Sequence, residues 1–86
     1  DGLLAEAALA FSRAQGLEPN NPWHSYNLAV ALDRLGNYAQ ALEQYDRALL
    51  NKSRSPTPLG AQQIESARAR ATQLQQSLEP RSEATE

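Results

Sequence analysis

The chain has 86 residues, the length of one small domain, and its 8 Lys and Arg residues against 10 Asp and Glu residues give a net charge of -2. This balance offers no basic surface to a phosphate backbone, and no apolar run approaches the roughly 20 residues of a membrane-spanning helix, so we expect neither nucleic-acid binding nor membrane insertion. The sequence has no cysteine, one histidine and no basic leader at its start, which predicts no thiol chemistry, no metal site and no signal peptide.

The composition favours helices throughout, because alanine, leucine, glutamine, glutamate and arginine dominate it. It is typical of a bacterial protein and contains no motif for a cofactor. The first predicted helix runs from about residue 3 to residue 17 and is followed by a break at residues 18–21. Its apolar residues recur at steps of three and four, the spacing of one buried helical face: Leu4, Ala7, Ala8, Phe11 and Ala14.

The second predicted helix runs from about residue 22 to residue 35. Asn21 followed by Pro22 is a good start, because an asparagine side chain can cap the helix and proline has no N–H to leave unpaired. Gly36 can adopt the left-handed conformation that ends a helix. The residues expected to be buried are Leu28, Ala29, Leu32 and Leu35.

The third predicted helix follows at once and extends to about residue 51. Asn37 and Gln40 have the spacing of a capping box at its start. We expect Phe11, Tyr38 and Tyr45 to fill the core between closely packed alanines and not to stack on a ligand. The buried set of this helix is Ala41, Leu42, Tyr45, Ala48 and Leu49.

A fourth helix is predicted from Pro58 to about Leu78, with Thr57 as its N-cap. One narrow stripe of this helix is apolar, and polar residues cover the rest of its surface, the pattern expected of the end cap of a helical stack. Residues 79–86 are polar and are expected to be disordered. The stripe consists of Ile64, Ala67, Ala71, Leu74 and Leu78.

The chain also repeats itself at an offset of 34 residues. Small and aromatic residues recur there in the same order, pairing Gly2 with Gly36, Ala7 with Ala41, Phe11 with Tyr45 and Ala14 with Ala48. The second copy is the more complete, with Asn-Leu-Ala at 27–29, Leu32, and Leu-Gly-x-Tyr at 35–38. The period and the pattern Ala-x3-aromatic-x2-Ala resemble the tetratricopeptide repeat family.

This resemblance implies an all-α fold of antiparallel helix hairpins, cut from a longer repeat protein. Residues 1–19 would be the second helix of a truncated repeat, and residues 22–55 one complete repeat. Residues 56–78 would form the C-terminal capping helix, and residues 79–86 the disordered tail. Members of the family are protein-interaction scaffolds, so the resemblance implies a protein or peptide partner.

The sequence gives no support to catalysis. His24 is separated from Glu18 by a break between helices, and its neighbour Ser25 points about 100° away from it on a helix. The carboxylates of Glu43 and Asp46 share a helix face with Arg47, and we expect surface ion pairing among the three. We therefore predict that the protein is not an enzyme.

In the family that the chain resembles, the first helix of each repeat lines a concave surface. Packing of Leu28, Ala29 and Leu32 inside the hairpin leaves the opposite side of the second helix for a partner, where aromatic and arginine side chains favour binding. Two alternatives stay open: Trp23 could pack against the end of the first helix, and Asp33 and Arg34 could be ordinary solvated charges. The candidate partner-binding residues are Trp23, Tyr26, Asn27, Val30, Asp33 and Arg34.

Asn27 is the best single candidate, because the family has an asparagine there that can bond the ligand backbone. A clamp for a C-terminal carboxylate, known in some members, is not expected, since Tyr26 and Val30 stand where it needs basic or amide groups and only Arg34 could take part. Two other functions stay open. The chain could be the purely structural end of a superhelix, or it could form a homodimer through its exposed first helix.

Overall fold

The computed structural model describes residues 2–54 and 57–79. This part of the chain forms four α-helices and no strand: α1 (Gly2–Leu17), α2 (Pro22–Arg34), α3 (Tyr38–Leu50) and α4 (Ala61–Leu78). Each helix packs against the one that follows it. The prediction of an all-α fold built from helix hairpins is confirmed.

Helix α2 begins and ends at the residues that the sequence indicates. The side chain of Asn21 accepts a hydrogen bond of 3.0 Å from the backbone N–H of Trp23, and Pro22 is the first helical residue. At the other end Gly36 has a φ of +84°, and the backbone N–H of Asn37 donates to the carbonyl of Leu32 at 2.9 Å. Both the cap and the left-handed glycine are therefore confirmed.

The capping box predicted for α3 is wrong. Asn37 precedes the helix, but its side chain makes no capping hydrogen bond, and its ψ of 70° is not the extended backbone typical of an N-cap. Its backbone N–H already closes the last turn of α2, so the short link between the helices holds Asn37 in a conformation that does not aim its side chain at α3.

The predicted start of α4 is also wrong. The helix begins at Ala61 after Gly60, not at Pro58 after Thr57. The reason is a contact that folds the loop back onto the end of α3: the backbone N–H of Leu59 donates to the carbonyl of Lys52 at 2.9 Å, and the Leu59 side chain is buried. Residues 58–60 are held outside a helix as a result.

The core lies between α2, α3 and α4. Alanines allow the helix backbones to approach closely, and Tyr45, only 4% exposed, fills the space that remains among them. The burial of Tyr45 confirms its predicted role. The buried cluster consists of Ala29, Ala41, Tyr45, Ala67, Ala71 and Leu74.

Three apolar predictions need correction. Tyr38 is not a core residue but is 46% exposed, because it is the first residue of α3 and lies beside Arg70, whose guanidinium carbon is 6.0 Å from the ring centroid. Leu78, at the end of the α4 stripe, is exposed. The predicted face of α1, including Phe11, is half-buried, and α1 contributes no fully buried residue.

The surface ion pairs expected around Arg47 are absent from the described residues. Arg47 instead donates to the backbone carbonyl of Pro19 at 3.1 Å, which ties α3 to the loop after α1. None of the four helices is long and apolar enough to cross a membrane. Glu79 is exposed at the end of α4, and the rest of the predicted tail lies outside the described residues.

Candidate protein-binding surface

The structure divides the six candidate residues of α2 into two groups. The side chains of Trp23, Tyr26 and Asp33 contact α3, α4 or the loop between them. The second group, Asn27, Val30 and Arg34, lines a groove between α2 and α1. Half of the candidate binding residues on α2 are therefore already in contact with other parts of this chain.

The aromatic side chains of the first group form a row that leads into the core. The Trp23 and Tyr26 rings meet edge to face with centroids 6.4 Å apart, and Tyr26 meets Tyr45 in the same way at 6.3 Å. The Trp23 indole N–H donates to the carbonyl of Pro58 at 3.0 Å, so Trp23 contacts the loop before α4. Tyr26 and Val30 both pack against the buried cluster, which corrects the expectation that the whole strip points away from it.

Asp33 is the centre of a polar contact between three helices, which we call the Asp33 clasp: Asp33 of α2, Tyr45 of α3 and Arg70 of α4. Arg70 Nε donates to Asp33 Oδ2 and Arg70 Nη2 to Oδ1, each at 2.7 Å, and the Tyr45 hydroxyl donates to Oδ2 at 3.1 Å. The Asp33 side chain is 14% exposed. It is therefore not the solvated charge that one reading of the sequence expected.

The clasp changes the protonation equilibria of its members. Hydrogen bonds from Arg70 lower the pKa of Asp33 despite its partial burial, and the hydrogen bond from Tyr45 acts in the same direction. Burial raises the pKa of Tyr45, and the neighbouring Asp33 carboxylate raises it further. Asp33 therefore stays ionised and Tyr45 stays protonated at neutral pH, the states that the hydrogen bonds of the clasp require.

The α1/α2 groove has a volume of about 230 Å³. Its apolar walls carry two polar side chains, the Asn27 amide and the Arg34 guanidinium. Neither group forms a hydrogen bond within the described part of the chain. An apolar hollow with a few polar groups is the usual chemistry of a binding site. The groove is lined by Leu4, Ala7, Phe11, Asn27, Val30, Ala31 and Arg34.

A second hollow, of about 400 Å³, is lined by residues of α1, α2 and α3, and two of its polar side chains, Gln15 and Gln44, form hydrogen bonds. The side-chain amide of Gln15 donates to Gln44 Oε1 at 2.6 Å and to Ser25 Oγ at 3.0 Å. These bonds join α1 to both helices of the following hairpin. Ser12, Gln40 and Glu43 also line this hollow and form no hydrogen bond within the described chain, so it offers a partner hydroxyl, amide and carboxylate groups, whereas the α1/α2 groove offers an amide and a guanidinium.

The only histidine is hydrogen-bonded to a carboxylate at the surface. His24 Nε2 lies 2.7 Å from Glu18 Oε1, and this hydrogen bond lowers the pKa of Glu18. Ser25 is fully buried and bonded to Gln15, away from any approach by a substrate. Among the described residues no three carboxylate, histidine or thiol side chains lie close enough together to hold a metal ion.

Comparison with known proteins finds one family. A model of the tetratricopeptide repeat matches residues 1–57, which include α1, α2 and α3 but not α4. No curated protein and no solved structure matches the chain significantly. The tetratricopeptide repeat is generally a non-enzymatic protein–protein interaction module. Because the match covers more than half of the sequence, the chain belongs to the tetratricopeptide repeat family.

Proposed function

We propose that this chain is a protein-interaction module that binds a segment of a partner protein in the α1/α2 groove. One observation carries the proposal. The groove combines apolar walls with the Asn27 amide and the Arg34 guanidinium, and neither polar group is used by a hydrogen bond within the described chain. Asn27, Val30 and Arg34 would be the contact residues on α2.

The groove's chemistry indicates the kind of segment that fits it. Apolar side chains of the partner would lie against Phe11 and Val30, which are half-buried. The Asn27 amide can donate to a backbone carbonyl and accept from a backbone N–H of the same segment. Arg34 would take a carboxylate. It is the only cation among the described residues that line the groove, which does not favour a clamp of several cations.

The other three candidates would act indirectly. Trp23, Tyr26 and Asp33 make polar and aromatic contacts with α3, α4 and the intervening loop. Their role in the proposal is to hold α2 in position. Replacing them should lower stability as well as binding, so they are poor probes of the binding surface itself.

The purely structural alternative also has an observation in its favour. The outer face of α4 is exposed and polar, with Glu65, Arg68 and Thr72 among its residues, as the last helix of a stack requires. In this proposal residues 22–55 act as a complete repeat, residues 1–19 as the second helix of another, and residues 56–78 as the cap. Capping and binding are compatible, because they use opposite sides of the chain's helix stack.

A peptide selection tests the proposal. Peptides selected from a random display library against the immobilised protein should bind the double variant Asn27→Ala/Arg34→Ala about 30-fold more weakly, since roughly 2 kcal/mol of hydrogen bonding is lost. The melting temperature should stay unchanged, because neither side chain bonds within the described chain. Arg68→Ala, which removes an exposed arginine from the outer face of α4, is the matched control and should bind normally. Peptides that bind both variants equally, or a selection that yields none, would contradict the proposal.

A further inference from the structure

The second hollow combines an apolar part with free polar groups. Ala8 and Leu9 of α1 and Leu28 and Leu32 of α2 supply the apolar part. Leu9 is 52% exposed, so a large apolar side chain at the edge of the hollow is open to solvent. The volume of about 400 Å³ lies within the range of small-ligand sites, roughly 300–1,000 Å³.

The internal repeat explains why this hollow is open. At the 34-residue offset Ala8 corresponds to Leu42, and Gln15 corresponds to Leu49. In α3 both leucines pack against the buried cluster that α3 shares with α4. Helix α1 has a side chain three carbons smaller at the first position and a polar one at the second, and both line the hollow. The hollow therefore follows from two residues in which the copies differ.

The hollow lies on a different face of α1 from the one that a hairpin partner would cover. The buried alanines of α3, Ala41 and Ala48, correspond to Ala7 and Ala14 of α1. A helix paired with α1 as α2 is paired with α3 would lie against those two alanines, and neither lines the hollow. The α1 residues that do line it are centred about 140° further around the helix, at about 100° per residue. Such a partner would therefore leave the hollow open.

The polar groups of the hollow favour a cation. The amide nitrogen of Gln15 uses both of its hydrogens, on Gln44 Oε1 and on Ser25 Oγ, so only the Gln15 oxygen remains for a ligand, and this oxygen accepts. Glu43 carries the only charge among the described residues that line the hollow, and it forms no ion pair among them. A carboxylate beside amide oxygens is complementary to a positively charged donor.

An arginine side chain matches both parts of the hollow. Its guanidinium has five donors in a planar fork, which can bond a carboxylate of α3 and an amide oxygen of α1 together, whereas an ammonium is a compact point charge. Its methylene stem is apolar and can cover leucine side chains. We infer that the second hollow binds an arginine side chain of a partner protein, with the guanidinium on Glu43 and the Gln15 oxygen and the stem on Leu9 and Leu32.

This inference does not rest on the proposed function. The second hollow and the α1/α2 groove share no lining residue. A partner segment in the groove and an arginine in the hollow can therefore be bound by the same chain, and a variant that removes one site leaves the other intact.

Titration with matched peptides tests the chemistry of the ligand. The probe is acetyl-Ala-Arg-Ala-amide, and its control carries citrulline, which replaces the guanidinium by a neutral urea of the same shape. Followed by NMR on the isotope-labelled full chain, the arginine peptide should bind with a millimolar dissociation constant and shift the side-chain amides of Gln15, Gln40 and Gln44 most. The citrulline peptide should bind about fivefold more weakly, as expected for the loss of one exposed ion pair. The lysine peptide should also bind more weakly than the arginine peptide.

Three variants test the location of the site. Glu43→Gln should weaken the arginine peptide about fivefold and remove its advantage over the citrulline peptide. Asp46→Asn, at an exposed carboxylate of the same helix that does not line the hollow, is the matched control and should bind normally. Ala8→Leu gives α1 the residue that α3 has at the equivalent position, fills the hollow and should abolish binding. Circular dichroism checks the fold of each variant, and Glu43→Gln, at an exposed position, decides the matter if Ala8→Leu does not fold.

A separate variant distinguishes this inference from the proposed function. Asn27→Ala/Arg34→Ala, which removes the polar groups of the α1/α2 groove, should bind the arginine peptide as the parent does. The inference is overturned if the arginine peptide at millimolar concentration leaves the three amides unshifted, or if the citrulline or lysine peptide binds equally well. Binding that Glu43→Gln does not weaken would overturn it as well.

Discussion

Tyr45 is the residue on which the packing of three helices depends, and Tyr45→Ala is the perturbation that tests it. The ring is surrounded by Ala29 of α2 and by the α4 residues of the buried cluster, and it meets the Tyr26 ring edge to face. Its hydroxyl donates to Asp33 within the clasp. The alanine variant removes the packing and the hydrogen bond together, whereas Tyr45→Phe removes only the hydrogen bond.

The expected losses differ enough to be separated. Removing a buried aromatic side chain costs about 3–5 kcal/mol, and a natural domain of this length has a total free energy of unfolding of about 4–13 kcal/mol. Tyr45→Ala should therefore lose at least about a quarter of the free energy of unfolding, and its urea midpoint should fall steeply. Tyr45→Phe loses one hydrogen bond to a carboxylate, about 1.5 kcal/mol, and should remain folded.

Urea unfolding followed by circular dichroism at 222 nm measures both effects. Tyr38→Ala is the matched control, because it truncates the same side chain at an exposed position of the same helix, and it should cost under about 1 kcal/mol. A Tyr45→Ala curve that overlays the parent curve would refute the assignment of Tyr45 to the core and the repeat alignment behind it. If Tyr45→Phe and Tyr45→Ala lowered the free energy of unfolding equally, the view that the packing of the ring stabilises the fold more than its hydrogen bond does would be refuted.

Three further predictions concern the clasp and the hairpin turn. Arg70→Ala should lower the urea midpoint and speed hydrogen exchange in α4, while Arg68→Ala should do neither; equal behaviour would show that the clasp does not hold α4. Gly36→Ala should lower the free energy of unfolding by about 1 kcal/mol, and Gly36→Val should lower it more, because φ at this position is +84°. The added Cβ meets no atom within 4 Å, so backbone strain is the only cost. Variants as stable as the parent would contradict this. The lowered pKa of Asp33 means that its contribution to stability is complete above about pH 4 and is lost as the pH falls through the folded-state value. Urea midpoints between pH 7 and pH 2.5 should therefore fall less steeply for Asp33→Asn than for the parent.

The parts of the fold that local rules govern were predictable from the sequence. Asn21 and Pro22 mark the start of α2, and Gly36 marks its end, because capping and left-handed backbone depend on one or two adjacent residues. The 34-residue repeat placed Tyr45 in the core for a related reason. Its position is defined by alanines one helical turn away, which the sequence contains in order.

The contacts between distant residues were not predictable. The start of α4 depends on Leu59 bonding to Lys52, and the clasp joins Asp33 to a residue 37 positions later. Spacing along a helix says which face a residue occupies but not which helix covers that face. Arg70 accordingly resembles the other polar residues of α4 in the sequence, and α2 gives no signal that one of its candidate binding residues, Asp33, is used within the fold.

The most direct test of the central claim, that the α1/α2 groove is the binding surface, is a titration of the isotope-labelled protein with a selected peptide, followed by NMR chemical shifts. We predict that the largest changes occur at the backbone of Ala7, Phe11 and Arg34 and at the side-chain amide of Asn27. Largest changes on the outer face of α4, or in the second hollow, would contradict the claim.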